Sequence, residues 1–261
     1  MRRIFLMAFA MTVALAGPVV ADTVITQWNF NSITPDANTA TGTNTPNVGS
    51  GSISVIGGAN NPGFNSGSGS SDPANVAGTS NDNSGFQTDS YAAQSTGSGT
   101  RGVRFFVSTL GFTGINGSFD LRLSNTSSRW YQFRYTLDGI NFVDLGGAVR
   151  LGATANAGDT WFNQNSFDLS SVAGANNNAN FGFEVVSVFS PVDFTQVSGN
   201  VNFLANTAYE VARNNGSSVY GGGTWRFDMV TLKGAAVPEP SALGLLAVAG
   251  VVAGGLRRKR S

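Results

Sequence analysis

The chain has 261 residues, with 15 Lys and Arg, 15 Asp and Glu, 34 Gly, and neither His nor Cys. Charged residues make up only 11% of it, against about 25% in an average soluble domain, which excludes a coiled coil, a helical bundle and a basic nucleic-acid-binding surface. Without His or Cys, the usual zinc sites, the Ser-His-Asp and Cys-His catalytic groups and disulfide bridges are excluded as well.

The first 21 residues contain the three parts of a secretory signal peptide. Arg2 and Arg3 supply positive charge, a short apolar run follows them, and Ala21 is a small residue at the cleavage position. The apolar run is shorter than the ~20 residues that a membrane span needs. We therefore predict that residues 1–21 direct export across the inner membrane and are then removed.

Residues 22–236 form the predicted mature domain. They carry 9 Lys and Arg against 14 Asp and Glu, a net charge of −5. A mildly acidic surface favours solubility and argues against anionic polymers as tight ligands. We expect no nucleic-acid partner.

Short segments with alternating apolar and polar side chains recur along this domain. Trp28 and Phe30 share one face of the first segment, and Tyr131, Phe133 and Tyr135 share one face of another. Alternation with period two, rich in aromatic and β-branched residues, is typical of half-buried strands. The segments are 23–31, 102–109, 118–124, 129–138, 180–188 and 223–233.

No part of the domain keeps the 3.6-residue periodicity of an amphipathic helix. Many short strands with no helices between them favour an all-β fold, an antiparallel β-sandwich of the jelly-roll type. We expect the first and last strands to be neighbours, because domain termini commonly lie close together. Residues 58–100 and 171–179 are rich in Gly, Asn and Ser and lack the strand pattern. We interpret 58–100 as a long surface excursion, either pinned by its few aromatic residues or disordered.

Carboxylates are the first candidates for chemistry. Glycoside hydrolysis commonly needs two carboxyl groups about 5–10 Å apart, and the domain has two glutamates, Glu184 and Glu210. The alternative is that these carboxylates lie on a solvated strand face. A jelly-roll glycosidase or polysaccharide lyase is therefore the third functional hypothesis. The aspartates that could complete such a pair are Asp120, Asp168 and Asp228.

Two groups of oxygen-bearing side chains match the all-oxygen coordination of Ca²⁺. Neither group fits a known calcium-loop pattern, and Asp138-Gly139 in the second predicts a hairpin turn, where Asp bonds its own backbone. We predict no cofactor, with a structural Ca²⁺ ion as an open hypothesis. The first group is Asp72, Asn81, Asp82, Asn83 and Asp89, and the second is Asp138, Asn141 and Asp144.

Aromatic rings are the third set of candidate functional residues, since sugars stack on the exposed faces of Trp and Tyr. Trp130, Trp161 and Tyr220 are the predicted carbohydrate contacts, and Trp130 shares its predicted face with Gln132 and Arg134, which favours exposure. The alternative for each ring is core packing. The other two tryptophans are expected in the core.

The C-terminal segment 237–261 has three consecutive parts. Pro238-Glu239-Pro240 comes first, an uncharged run from Ala242 to Leu256 follows, and the chain ends in four basic residues and a serine. The run predicts a transmembrane helix that begins in the interface, because a span needs ~20 apolar residues. The basic cluster predicts a stop to translocation and a cytoplasmic end. Its members are Arg257, Arg258, Lys259 and Arg260.

This three-part tail resembles the PEP-CTERM sorting signal of exported bacterial proteins. The resemblance covers residues 237–261 and rests on the order of motif, span and basic end. It implies recognition and cleavage near the motif by a membrane-embedded exosortase, with Pro238, Glu239 and Pro240 as the recognition residues. It also implies delivery to the cell surface or to an exopolysaccharide matrix.

The domain itself is more loosely similar to ectodomains that precede such tails. The similarity is carried by Gln27–Asn31, by the stretch 124–142 and by Trp225–Asp228, and it implies a β-sandwich without catalytic residues. The leading hypothesis is an exported, non-enzymatic protein with a structural or adhesive role in the surface layer or biofilm matrix, anchored transiently or stably by the C-terminal helix. The second hypothesis is a carbohydrate-binding module whose partner is an extracellular polysaccharide.

Overall fold

The structure is a computed structural model that describes residues 21–74 and 82–237. These residues form fourteen β-strands and one 3-10 turn, Ala173–Ala175, and contain no α-helix. The strands are β1 Asp22–Trp28, β2 Ser52–Ile56, β3 Asn60–Ser66, β4 Ser84–Asp89, β5 Gly102–Phe106, β6 Phe112–Leu123, β7 Trp130–Thr136, β8 Phe142–Asp144, β9 Val149–Arg150, β10 Thr160–Asp168, β11 Gly182–Ser187, β12 Phe194–Gln196, β13 Val201–Phe203 and β14 Trp225–Ala236.

Two six-stranded sheets make up most of the domain. The first sheet has the order β10-β6-β14-β4-β3, with β1 also paired to β14. The second has the order β2-β5-β11-β7-β8, with β9 also paired to β7, and β12 and β13 form a separate small hairpin. Every pairing between these strands is antiparallel. The predicted all-β, antiparallel class is confirmed, and the two sheets are consistent with a β-sandwich.

Aromatic rings from the two sheets meet in one core. Phe183 on β11 stacks on Phe105 at 4.9 Å and contacts Phe167 of the first sheet at 5.3 Å between ring centroids. Trp28 and Trp225 are 0% and 1% exposed, so the expectation that they lie in the core is confirmed. Such rings combine a large buried apolar area with favourable stacked or edge-to-face geometry, and they hold the sheets together.

The first and last strands are neighbours, as the sequence predicts. β1 runs antiparallel to β14, with Asp22 opposite Ala235 and Trp28 opposite Val230. β14 also pairs with β6 along most of its length and with β4 through Trp225–Phe227. The last strand of the chain therefore lies inside the first sheet, not at its edge.

The prediction that residues 58–100 lack strands is wrong for two segments. β3 and β4 both lie in this stretch, where Phe64 faces Phe86 across the hairpin, and Phe86 in turn faces Phe227 of β14. Pairing with a distant strand supplies the backbone partners that the local composition does not suggest. Residues 75–81 lie outside the described residues.

The predicted terminal segments lie outside the described residues, apart from Ala21 at one border and Val237 at the other. This applies to the signal peptide, the Pro-Glu-Pro motif, the transmembrane run and the basic cluster. Between residues 21 and 237, leaving out 75–81, no helix has the length and apolarity that crossing a membrane requires.

Phe183→Ala should lower the free energy of unfolding by about 3–5 kcal/mol, because it removes a ring that contacts both sheets. Ile140→Ala is the control, since Ile140 is 79% exposed and its truncation should change stability by at most about 0.5 kcal/mol. Denaturant-induced unfolding measures both. Equal effects of the two substitutions would show that the ring cluster does not hold the sheets together.

Candidate functional site

Glu184 lies in a row of charged side chains that crosses the second sheet. The strand register places it opposite Arg104 on β5 and Arg134 on β7. Glu184 Oε2 accepts hydrogen bonds from Arg104 Nε at 3.0 Å and Nη2 at 2.8 Å, and Arg134 Nη1 lies 3.5 Å from Oε1. Arg134 also pairs with Asp144 on β8 at 2.7 Å. Because opposite charges that face each other across strands stabilise the pairing, these contacts give Glu184 a structural role.

Glu210 is buried in a second ion-pair network. Its carboxylate accepts hydrogen bonds from Arg150 Nη2 at 2.6 Å, Trp130 Nε1 at 2.8 Å and Arg129 Nη1 at 3.3 Å. The Arg129 side chain is fully buried and also donates to carbonyl oxygens within 151–154. Burial acts to raise the pKa of Glu210, but the hydrogen bonds from Arg150 and Trp130 and the two arginine charges outweigh it and lower the pKa.

The two glutamates therefore belong to separate arginine networks. Among the described residues, no hydrogen bond or ion pair joins either one to a second carboxylate. Asp168 is exposed at the end of β10, where it accepts a hydrogen bond from Ser170 N–H at 2.8 Å. The hydrogen bonds and ion pairs of Glu184, Glu210 and Asp168 thus connect strands and turns, which is a structural role.

The three predicted carbohydrate-contacting aromatics do not form an exposed row. Trp130 is 7% exposed and packs against β11, so the expectation that its face is exposed is wrong. Tyr220 is also 7% exposed; its hydroxyl donates to a backbone carbonyl, and its ring stacks on Tyr209 at 4.5 Å. Trp161 is half-buried. The exposed large apolar side chains of residues 21–74 and 82–237 are all aliphatic.

The segment 67–72, which follows β3, crosses the outer face of the first sheet, and four polar side chains are buried together at this crossing. Asp120 on β6 and Asp228 on β14 are direct cross-strand partners. Asp72 and Asn83 come from the two ends of the connection between β3 and β4. All four are at most 5% exposed. We call Asp72, Asn83, Asp120 and Asp228 the carboxylate cluster.

Two members of the carboxylate cluster are held by N–H donors. Asp120 accepts hydrogen bonds from the backbone of Ser71 at 2.5 Å and of Gln164 at 2.7 Å. Asp72 accepts one from Asn31 Nδ2 at 2.9 Å and another from the backbone N–H two residues further along. Each of these oxygens keeps a second lone pair that could bind a further group.

Two oxygens of the carboxylate cluster have no hydrogen-bond partner, Asn83 Oδ1 and Asp228 Oδ2. Asn83 Nδ2 donates to Gly67 O and to Ser70 Oγ, both at 3.1 Å, which fixes the amide oxygen on the opposite side. A Cβ atom at Gly67 would lie 1.8 Å from Asn83 Oδ1 and 2.9 Å from Asp228 Oδ2. Both unpartnered oxygens therefore lie beside the same glycine.

In the described part of the chain, no basic side chain forms an ion pair with the carboxylate cluster. Six ion pairs are present there, and none includes Asp72, Asp120 or Asp228. Burial raises the pKa of Asp228 well above its usual value; the nearby Ser70 hydroxyl opposes this rise, while the charges of Asp72 and Asp120 add to it. No three His, Cys, Asp or Glu side chains of these residues could hold a metal by themselves, so an ion here would also need amide or carbonyl oxygens.

The other calcium candidates have different surroundings. Asp138 caps its own turn, where hydrogen bonds from Asn141 and from the N–H of residue 140 hold the pKa of Asp138 well below its usual value. Asp82 and Asp89 accept hydrogen bonds from residues 36 and 90, outside the carboxylate cluster. Asn81 lies outside the described residues.

All four members of the carboxylate cluster are candidates in the sequence, Asp72 and Asn83 for calcium and Asp120 and Asp228 for a carboxylate pair, but the sequence does not predict them as one site. A signal was present in two strands, because Phe119-Asp120-Leu121 and Phe227-Asp228-Met229 share one pattern. No protein-family model matches the chain, and no curated protein matches it at a significant level.

Glu210→Gln should lower the free energy of unfolding near neutral pH by about 3–5 kcal/mol, because Arg129 would stay buried without its counter-charge. The folded pKa of Glu210 lies below its ordinary value of 4.5. Its stabilisation is therefore present above about pH 4.5 and is lost as the pH falls through the lower, folded-state pKa. The difference between wild type and variant should shrink in acid.

Urea unfolding at several pH values measures this difference. Asp144→Asn is the control, because the Asp144 side chain is 55% exposed in its ion pair and should contribute at most about 1 kcal/mol. A wild-type–variant difference as large at about pH 3 as at about pH 7 would contradict the assignment.

Proposed function

We propose that this protein is an exported, non-enzymatic surface or exopolysaccharide-matrix protein that is sorted by a PEP-CTERM-type tail. One observation carries the proposal. β1 begins at Asp22, directly after the predicted cleavage position, and β14 ends at Ala236, directly before the tail. Val237, at the end of the described residues, donates a backbone hydrogen bond from its N–H to Gly111 O at 2.8 Å. Both terminal segments can therefore be removed without the loss of any strand that the structure describes.

Both processed ends leave the domain from the same place. Asp22 and Ala235 face each other in the β1–β14 pair, so the signal peptide and the tail join the sheet side by side. Such a β-sandwich, of the jelly-roll type that we propose, suits a domain displayed at a surface.

The proposed partners follow from the tail. Pro238, Glu239 and Pro240 would be read by an exosortase-type membrane enzyme, since prolines keep the motif extended for a processing groove. The apolar run would enter the membrane, and the basic cluster would hold its end in the cytoplasm. The released or anchored domain would then take part in the polysaccharide matrix.

A structural or adhesive role is supported by the charged side chains of the domain. Glu184 and Glu210 are both engaged by arginines and are not paired with a second carboxylate, which disfavours the glycosidase alternative. Trp130 and Tyr220 are buried, so the carbohydrate-binding alternative would depend on Trp161 alone among its three candidates. We therefore prefer the structural or adhesive role to both the glycosidase and the carbohydrate-binding hypothesis.

The sorting proposal is tested with Pro238→Ala/Pro240→Ala in the host, followed by cell fractionation and intact-mass measurement. The wild type should lose 1–21 and the tail and appear outside the inner membrane, while the variant should keep its tail and stay membrane-bound. Pro35→Ala/Pro191→Ala is the matched control, because both prolines are exposed in the domain. A wild type that retains residues 237–261 in the membrane would overturn sorting in favour of a plain anchor.

A chain of residues 22–237 should fold and unfold cooperatively, because every described strand is present in it. A chain that ends at residue 229 should not fold, since β1 pairs with residues 230–235 of β14. Far-UV circular dichroism and thermal unfolding distinguish the two. Failure of the 22–237 chain to fold would contradict a removable tail.

A further inference from the structure

The carboxylate cluster places two hydrogen-bond acceptors in one buried space. Asn83 Oδ1 and Asp228 Oδ2 are both unpartnered, and both residues are 0% exposed. The Asn83 amide cannot be turned over to donate to Asp228, because its oxygen would then face the Gly67 carbonyl that Nδ2 now contacts at 3.1 Å. Buried acceptors without donors are costly, so such a pair points to a missing positive group.

We propose that a Ca²⁺ ion binds in the carboxylate cluster, between the segment 67–72 and the outer face of β6 and β14, with Asp228 Oδ2 and Asn83 Oδ1 as its central ligands. Ca²⁺ accepts carboxylate, amide and backbone carbonyl oxygens in flexible geometry. Asp72 and Asp120 add negative charge beside Asp228, and backbone carbonyl oxygens and water would complete the coordination shell. This proposal is independent of how the protein is sorted.

Charge balance favours a divalent cation over a single proton. Asp120 and Asp228 face each other across adjacent strands, where like charges oppose pairing, and Asp72 adds a third carboxylate. Arg226 lies on the same strand as Asp228, but its guanidinium donates to Ser66 O and Gln87 Oε1. One proton on Asp228 would satisfy Asn83 and leave the other two carboxylates without a counter-charge.

The all-oxygen ligand set selects Ca²⁺ over softer metals. Mg²⁺ is less well suited, because it requires near-octahedral geometry and keeps several of its water molecules. A cleft of about 290 Å³ opens beside the cluster and gives an ion a route from solvent. Its lining includes Ser71, Pro73 and Met229, which are sequence neighbours of Asp72 and Asp228.

The bound ion would fasten a connection to the sheet. Asp72 and Asn83 belong to the chain between β3 and β4, whereas Asp120 and Asp228 belong to two strands of the first sheet. An ion that bridges them holds 67–72 over the strands. Removal of the ion should therefore loosen this segment first, and hydrogen exchange at 67–74 should rise.

The test uses the purified full chain after treatment with a chelator. Calorimetric titration with CaCl₂ should show one ion per chain. Thermal unfolding should occur about 5–10 °C higher when calcium is about 100-fold above its dissociation constant. MgCl₂ should give a much smaller shift. Absence of any calcium response would overturn the proposal and assign the space to a protonated Asp228 that donates to Asn83.

Asp228→Asn separates the ion from a structural role of the side chain. The variant should fold in chelator, because the new amide can donate to Asn83 Oδ1, and it should bind calcium at least about tenfold more weakly. Asp168→Asn is the matched control, an exposed aspartate that should leave the calcium response unchanged. A wild-type response in the Asp228→Asn variant would place the ion elsewhere and overturn the site.

The position of the bound ion can be tested through Trp161 without a change to any of the proposed ligands. A Cβ atom at Gly69 would lie 2.9 Å from Trp161 Cδ1, so this indole packs on the segment that covers the cluster. Tb³⁺ in the calcium site should emit when tryptophan is excited, and Trp161→Phe should reduce that emission while the calcium shift in thermal unfolding remains. Emission unchanged by Trp161→Phe would contradict binding beneath 67–72.

Discussion

The first sheet depends on β14, the last strand of the chain. β14 pairs with β6 on one side and with β4 and then β1 on the other. Strands from the beginning, middle and end of the domain are therefore joined through one segment of twelve residues. Pairings so distant in sequence form slowly, because the loop-closure entropy is lost before the contacts are gained. The domain can complete its fold only after Ala236 has been made available, next to the tail that we propose as the sorting signal.

The two sheets treat charged side chains on their outer faces differently. The second sheet alternates Arg104, Glu184, Arg134 and Asp144 across four strands, so each carboxylate faces a guanidinium. The first sheet places Asp120 against Asp228 and covers both with Asp72 and the chain around it. Opposite charges stabilise the second sheet, whereas the facing carboxylates of the first sheet form no ion pair within the described residues. This contrast is the reason why we propose a cation site on the first sheet.

The aromatic residues are used mainly to hold the structure together. Phe183, Phe105 and Phe167 join the sheets, and Trp130 and Tyr220 complete polar networks with their N–H and O–H groups. Such rings contribute most when their apolar bodies are buried and their polar atoms are bonded. The large apolar side chains that stay exposed in the described part of the chain are all aliphatic.

The sequence by itself determined the all-β fold class, the burial of Trp28 and Trp225, and the proximity of the first and last strands. Alternation is a property of each strand alone, and it can be read without knowing the partner strand. The two export segments are also local patterns, and they remain predictions. Only the tertiary structure decided that β3 and β4 form in a Gly-rich stretch, because β4 pairs with the distant β14 and β3 pairs with β4.

The same limit applies to the candidate site. Asp72, Asn83, Asp120 and Asp228 were each visible in the sequence as oxygen-bearing side chains, but 156 positions separate the first from the last. An outward-facing side chain on a strand is normally solvated, but Asp120 and Asp228 are buried, with the segment 67–72 in contact with both. Whether a side chain on the outer face is buried depends on which distant segment crosses that face, and the local sequence pattern does not predict this crossing. Trp130 is a second example. Its ring was predicted to be exposed, but it is buried because it packs against β11 and donates a hydrogen bond to Glu210.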